Sequence, residues 1–307
     1  MGNFTSDSEE DKYNLRKLKN IAFLANGFFS LALSATIFVA NIVLIVATAR
    51  NPRRLNKVIN KIHNSLFYIN LFAVVFFLPY FGIAEILRGL QITEKTFPFP
   101  SYLSVTHTFF AQSNVNVALL VTVERSSAFI FPHFHRRIMT KAKVLITLLL
   151  TQSFALLFAC FQFTGIKEIV FYTVYIHLFI SAPMLVIFFL VCVTYWNIKN
   201  RNRVVSGEIP QSTEQLELRR KRTTRSARKY LTVVSLFMVP MSLCISPWYA
   251  VKVIEITFKK SLTTDVGFFL QRFAISLLFL PGVFGPITLA LRFEEYSTSL
   301  KLFFRRI

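Results

Sequence analysis

Glu124 and Arg125 stand side by side where an apolar run ends, and Pro132, His133, His135, Arg136 and Arg137 follow a little further along the chain. A carboxylate beside a guanidinium makes charge-assisted hydrogen bonds, and an arginine held in this way can be handed to another acceptor. Metal binding does not suit the neighbourhood, because the two histidines lie against two arginines whose charge opposes a cation. Nor do the apolar segments contain a His-box, a Gly-x-Ser-x-Gly or paired aspartates, so the chain is not read as an enzyme. A second set of polar groups is Asn41, Asn70 and Asn114, each inside an apolar run. A buried amide must find hydrogen-bond partners, so these three are expected to converge or to glue helices together. A third set is His107, Gln112, Tyr175, Trp248, Tyr249, Lys252 and Gln271, toward the other ends of their runs. Among many Phe they would give a largely apolar site with a few polar anchors; the alternative is packing and interfacial anchoring.

The elements that position these residues follow from composition. Of 307 residues, 54% are hydrophobic, 35 are Phe and only 16% are charged. Mean hydropathy is +0.52. A soluble domain carries roughly 45–50% apolar residues. The apolar residues fall into seven blocks, at about 21–49, 64–87, 101–130, 144–164, 170–198, 230–254 and 267–291. Each is about the length that crosses a bilayer's hydrocarbon core. None has Lys, Arg, Asp or Glu well inside its centre, where a charge costs roughly 2.5–3.5 kcal/mol. The expected fold is an all-α membrane protein. It consists of a seven-transmembrane helix bundle over 21–291, a preceding stretch 1–20 and an amphipathic segment over 292–307. In that last segment Phe293, Tyr296, Leu300, Phe303 and Phe304 recur at helical spacing, which suits a helix lying on the inner leaflet.

Seven spans put the chain ends on opposite sides, and charge decides which is inside. The segments 50–63, 124–143, 199–229 and 292–307 hold 24 of the 35 Lys and Arg. The basic side is cytoplasmic, so residues 1–20 are expected outside and the C-terminus inside. The net charge of +20 is thereby a topology signal and an attraction to anionic lipid, and nucleic acid is not needed to explain it. Asn3 begins an Asn-Phe-Thr glycosylation acceptor, consistent with an outer N-terminus. The same residues also fit a myristoylation pattern that would need the opposite side; charge asymmetry favours the first. Cys160, Cys192 and Cys244 all fall inside the blocks, which predicts no disulfide outside the membrane and a role as small buried hydrophobes.

The stretch VERSSAFIFPHFHRRIMT resembles the inner end of the third helix of rhodopsin-like G-protein-coupled receptors, with their Asp/Glu-Arg-Tyr motif. Other landmarks fall in the same order. Asn41 precedes a basic stretch, Leu66 to Asn70 is followed by Pro79, and Pro183 lies in the fifth block. Cys244 to Tyr249 reads CISPWY, and the seventh block ends GPITLALRFEEY. The likeness covers roughly residues 25–306. The Ile-Met-Thr after Arg137 and the short second outer loop make it loosely similar to melanocortin and cannabinoid receptors.

The resemblance implies a plasma-membrane receptor that binds an extracellular ligand and activates a cytoplasmic heterotrimeric G protein, with no cofactor. It assigns coupling and activation to Glu124, Arg125, Pro132, Pro247 and Pro286, and to Arg228 and Lys229 in the basic run that continues the 199–229 loop. That loop has two readings, a dock for a G-protein segment or positive-inside topology with anionic lipid. In the resemblance the His107 position belongs to the amine-binding Asp of aminergic receptors. A biogenic amine is therefore not expected, and the ligand is a small apolar or aromatic molecule or a peptide. The chain departs from the pattern at Ser126, Ile245, Gly285 and Leu289, and Ala227 stands where an acid on the sixth helix would lock the arginine. Asn70 replaces the family's Asp, which implies an amide network without sodium. The competing expectation is a polytopic transporter or channel, which would call for a charged relay inside the spans.

Overall fold

The computed structural model describes residues 4–50, 58–92, 101–204, 238–257 and 265–305. Asn3, Arg228 and Lys229 lie outside the described residues, as does most of the 199–229 loop. The described residues are almost entirely helical, with no strand among them. Helix α1 runs Phe4–Ala49, α2 Val58–Phe76, α3 Leu78–Gly89, α4 Ser101–Ile130 and α5 Pro132–Ile138. α6 spans Lys141–Cys160, α7 Glu168–Val174 and α8 Ala182–Val204. α9 covers Met238–Thr257, α10 Asp265–Leu277, α11 Pro281–Arg292 and α12 Glu294–Phe304.

Six helical stretches among the described residues are long and apolar enough to cross a membrane: Arg16–Ala49, Ile59–Gly89, Lys141–Thr164, Glu168–Asn200, Met238–Thr257 and Phe269–Leu291. The chain is an all-α membrane protein. The block expected at 101–130 is not among the six. It forms α4, 30 residues long and so roughly 45 Å. Its low hydropathy has a tertiary reason. α4 packs against α2, α6 and α8 at once, and its Thr108, Gln112, Ser113 and Asn114 are all buried. A helix enclosed by other helices does not have to be compatible with lipid. The outer helices show the converse: Leu149, Leu150 and Phe154 on α6, and Leu185, Phe188 and Phe189 on α8, point outward.

Prolines break the spans where the sequence puts them. Pro79 sits in the first turn of α3, and the helix is interrupted at Phe77. Upstream of Pro183 the chain winds as a π-helix over Tyr175–Ser181. Pro at that point removes a backbone donor, and a wider turn accommodates the loss. α1 and α3 approach closely because two glycines face each other: a Cβ on Gly27 would come within 2.7 Å of the Gly82 carbonyl oxygen. Small residues at such crossings let backbones meet.

Two cysteines differ from expectation. Cys160 and Cys192 are exposed on the outward faces of α6 and α8, and only Cys244 is buried. Lying in an apolar block does not place a side chain inside the bundle, because a membrane helix is apolar on both its lipid and protein faces. α12 packs against α1 and α11. Tyr296 is fully buried beside Leu44, Phe67 and Leu289, Leu300 packs on them, and the Arg50 guanidinium stands 5.0 Å over the Phe303 ring.

Candidate functional site

The C-terminal end of α4 carries Glu124, buried, and Arg125, about one third exposed. Arg125 donates from Nε to Glu124 Oε2 and from Nη2 to Oε1 at 2.9 Å. This two-point grip fixes the plane of the guanidinium. Helix α4 ends at Ile130, Phe131 adopts a non-helical conformation, and Pro132 opens α5. Proline suits that position because its missing N–H is one that a first turn leaves unbonded in any case. α5 turns back toward α4. His135 Nδ1 lies 3.0 Å from Ser127 Oγ, and its Nε2 faces Glu124 Oε1 at 3.8 Å. Ser127 Oγ also donates to the Glu124 main-chain oxygen at 3.0 Å. Glu124 therefore faces two basic side chains, where the sequence pointed to Arg125 alone.

The amides are joined in part. Asn70 Nδ2 donates to Asn41 Oδ1 at 3.1 Å, and Asn41 Nδ2 donates to the main-chain oxygens of Ile37 (2.7 Å) and Gly282 (3.0 Å). This ties the first, second and last long helices together. Asn114 instead bonds Phe110 O in its own helix at 2.9 Å. It lines a cleft with Leu66, Pro240, Met241 and Gly285. Pro286 sits buried within α11 beside that cleft, and Pro247 is half-buried in α9.

The expected outer pocket residues are largely brought together. The Trp248 ring packs edge-on against Tyr175 at 5.7 Å and His107 at 6.1 Å between centroids. Tyr175 donates to Thr108 O at 3.1 Å. Lys252 Nζ stands 4.1 Å over the Tyr172 ring, 2.8 Å from Glu255 and 3.9 Å from Glu168. Tyr249 accepts from Ser181 at 3.2 Å. Gln112 is buried and Gln271 half-buried. The rings of His107, Tyr175 and Trp248 fill the space between one another, so the cluster is a packed aromatic wall topped by an ion pair.

Sequence reasoning missed a second charged cluster. Glu85 on α3 is fully buried and accepts from Asn26 Nδ2 of α1 at 3.0 Å. Arg88 reaches its Oε1 at 3.3 Å and Arg272 of α10 at 3.8 Å. Ser276 donates to Asn26 Oδ1 at 2.8 Å and meets Ser30 at 3.0 Å. Glu85 and Arg272 sit near the ends of their apolar blocks, where charges read as membrane-edge residues. The available signal was pairing: one acid and one base at matching depth in two spans.

No protein-family model and no curated protein matches the chain. What the molecule does is therefore read from its residues and their geometry.

Proposed function

We propose that the chain is a G-protein-coupled receptor of the plasma membrane, with α4 as a seventh span, the N-terminus outside and the basic loops inside. The length of α4, its central position and its buried polar side chains support the seventh span. In this reading an extracellular ligand acts on the wall formed by His107, Tyr175, Trp248 and Lys252, and Arg125 at the inner mouth engages a heterotrimeric G protein. The observation that carries it is the grip of Glu124 on Arg125, a buried acid against a base about one third exposed, at the end of a helix packed against α2, α6 and α8. A guanidinium in that position is held at rest yet can be reached from the cytoplasm. Nucleotide exchange on a purified G protein, with the chain in lipid nanodiscs, tests the reading. Exchange above that of empty nanodiscs, lost on Arg125→Ala, is expected. Equal exchange by Arg125→Ala and the unmodified chain would overturn it.

A second reading, a transporter or channel, draws on the buried Glu85 and Arg272. Ion flux through liposomes holding the purified chain, abolished by Glu85→Gln, would favour that reading over the first.

A further inference from the structure

Trp248 and Lys252 stand four residues apart on α9, so they share one face of that helix, and both pack on the Tyr172 ring. Both are buried, at 0% and 3% exposure. Each holds a hydrogen that no acceptor oxygen takes among the described residues. Trp248 Nε1 is buried without a hydrogen-bond partner. Around it are the rings of Tyr172, Tyr175 and His107, and a ring is a weak acceptor. An ammonium carries three hydrogens. Lys252 gives one to Glu255 Oε2 at 2.8 Å and turns another side to the Tyr172 ring, 4.1 Å from its centroid. The Glu168 carboxylate, at 3.9 Å, is beyond hydrogen-bond reach. One Lys252 hydrogen is therefore left over. A buried donor with no acceptor raises the energy of the empty site, and a ligand that supplies the acceptor recovers that loss.

We propose that this face of α9 recognises an uncharged carbonyl compound with an apolar body. Its carbonyl oxygen, with two lone pairs, accepts the hydrogens that Trp248 and Lys252 leave unused. The inference rests on the reading of this wall as a ligand site and adds what the ligand must carry. Other head groups fit less well, each for a stated reason. An ammonium brings donors only, so both unused hydrogens stay unused, and it stands against the Lys252 charge. A carboxylate could accept, but two carboxylates, Glu255 and Glu168, already surround the one ammonium, and a third adds repulsion. A hydrocarbon fills space and satisfies neither donor. The approach is from the side of Glu168, whose side chain is 72% exposed and holds Lys252 by charge alone.

The test reads the indole hydrogen directly. The chain has 2 Trp, so Trp196→Phe leaves Trp248 as its one indole. The full chain with that substitution, labelled with heavy-nitrogen tryptophan and held in nanodiscs, is titrated with probes built on one phenethyl body. They are a methyl ketone and the isosteric carboxylic acid, primary amine and branched hydrocarbon. The ketone is expected to move the Trp248 N–H resonance downfield and to saturate at a roughly tenfold lower concentration than the acid or the amine. The hydrocarbon should leave the resonance in place. Lys252→Met should weaken the ketone roughly tenfold, the worth of one hydrogen bond from a charged donor. Glu168→Gln should strengthen the acid and leave the ketone as it was. An acid or amine that saturates no later than the ketone overturns the proposal. So does a ketone that moves the resonance no further than the hydrocarbon, or one that binds Lys252→Met as well as the parent chain. The expected titrations, with nucleotide exchange on a purified G protein no higher than that of empty nanodiscs whether or not the ketone is present, keep the chemistry of this site and overturn the receptor reading.

Discussion

The two charged clusters of this protein are built alike in composition and opposite in design. Around Glu85, the acid is fully buried, bonds Asn26 and faces two arginines, and the amide is bonded again by Ser276. Around Glu124, the acid is also buried, but its partners Arg125 and His135 remain partly exposed, and Ser127 bridges His135 to the Glu124 main-chain oxygen. The difference teaches which ion pair can change partners. A buried pair leaves an uncompensated charge when broken, so it holds helices in place. A pair at a solvent-reached edge is cheap to open, because water and other groups can take over. The buried pair and the partly exposed pair are thus held by different means.

The sharpest way to break this comparison is to remove each acid in turn. Glu85→Ala is expected to destabilise by about 3–5 kcal/mol, the usual cost of stripping one partner from a buried pair. Thermal unfolding of the detergent-solubilised chain reads this. Glu85→Leu combined with Arg272→Leu should recover most of the loss, and a loss no larger than that of Glu124→Ala would erase the distinction. Next in size is the crossing that sets the Glu85 cluster. Gly27→Ala places a methyl within 2.6–2.9 Å of Ile86 and the Gly82 carbonyl, and an overpacked contact costs about 1–3 kcal/mol. The same unfolding measurement should show it, whereas Gly165→Asn should change less, because no atom lies within 4 Å and Asn tolerates the left-handed φ of 76° better than other side chains.

At the other cluster the expected effect is on exchange. Glu124→Gln removes the charge that holds Arg125 and should raise basal exchange roughly tenfold, equivalent to about 1.4 kcal/mol of lost grip. A thermal midpoint close to that of the unmodified chain should accompany it. The smallest effect belongs to α12. Tyr296 donates to Asn64 Oδ1 at 3.3 Å, and Tyr296→Phe should cost about 1 kcal/mol. Burial pushes the Tyr296 phenol above its ordinary 10.0. Its contribution is therefore fully present below that value and is lost as pH rises beyond it, because the unfolded phenol ionises first. Unfolding midpoints of the two chains should draw together only on the alkaline side.

The candidate site was legible where chemistry is local. Glu124 and Arg125 are neighbours in the chain, so their pairing follows from adjacency, and Pro132 opens a helix as its fixed φ requires. His135 was legible as a residue and not as a partner, because its approach to Glu124 depends on the angle at which α5 folds back. Glu85 and Arg272 lie far apart in sequence, and no periodicity links them. Asn41 and Asn70 meet, while Asn114, in an equally apolar run, turns to its own backbone.

By itself the sequence determined that the chain is a helical membrane protein, because hydrocarbon selects long apolar helices and charge selects their flanks. Tertiary structure alone decided which faces look inward. Apolar residues clothe both surfaces of a membrane helix, so hydropathy cannot tell lipid from protein, and Cys160, Cys192 and the polar α4 were placed only by packing. It also decided which charges share a site, since depth in the bundle and helix neighbours are set by close contacts such as Gly27 on Gly82, and such contacts have no one-dimensional signature.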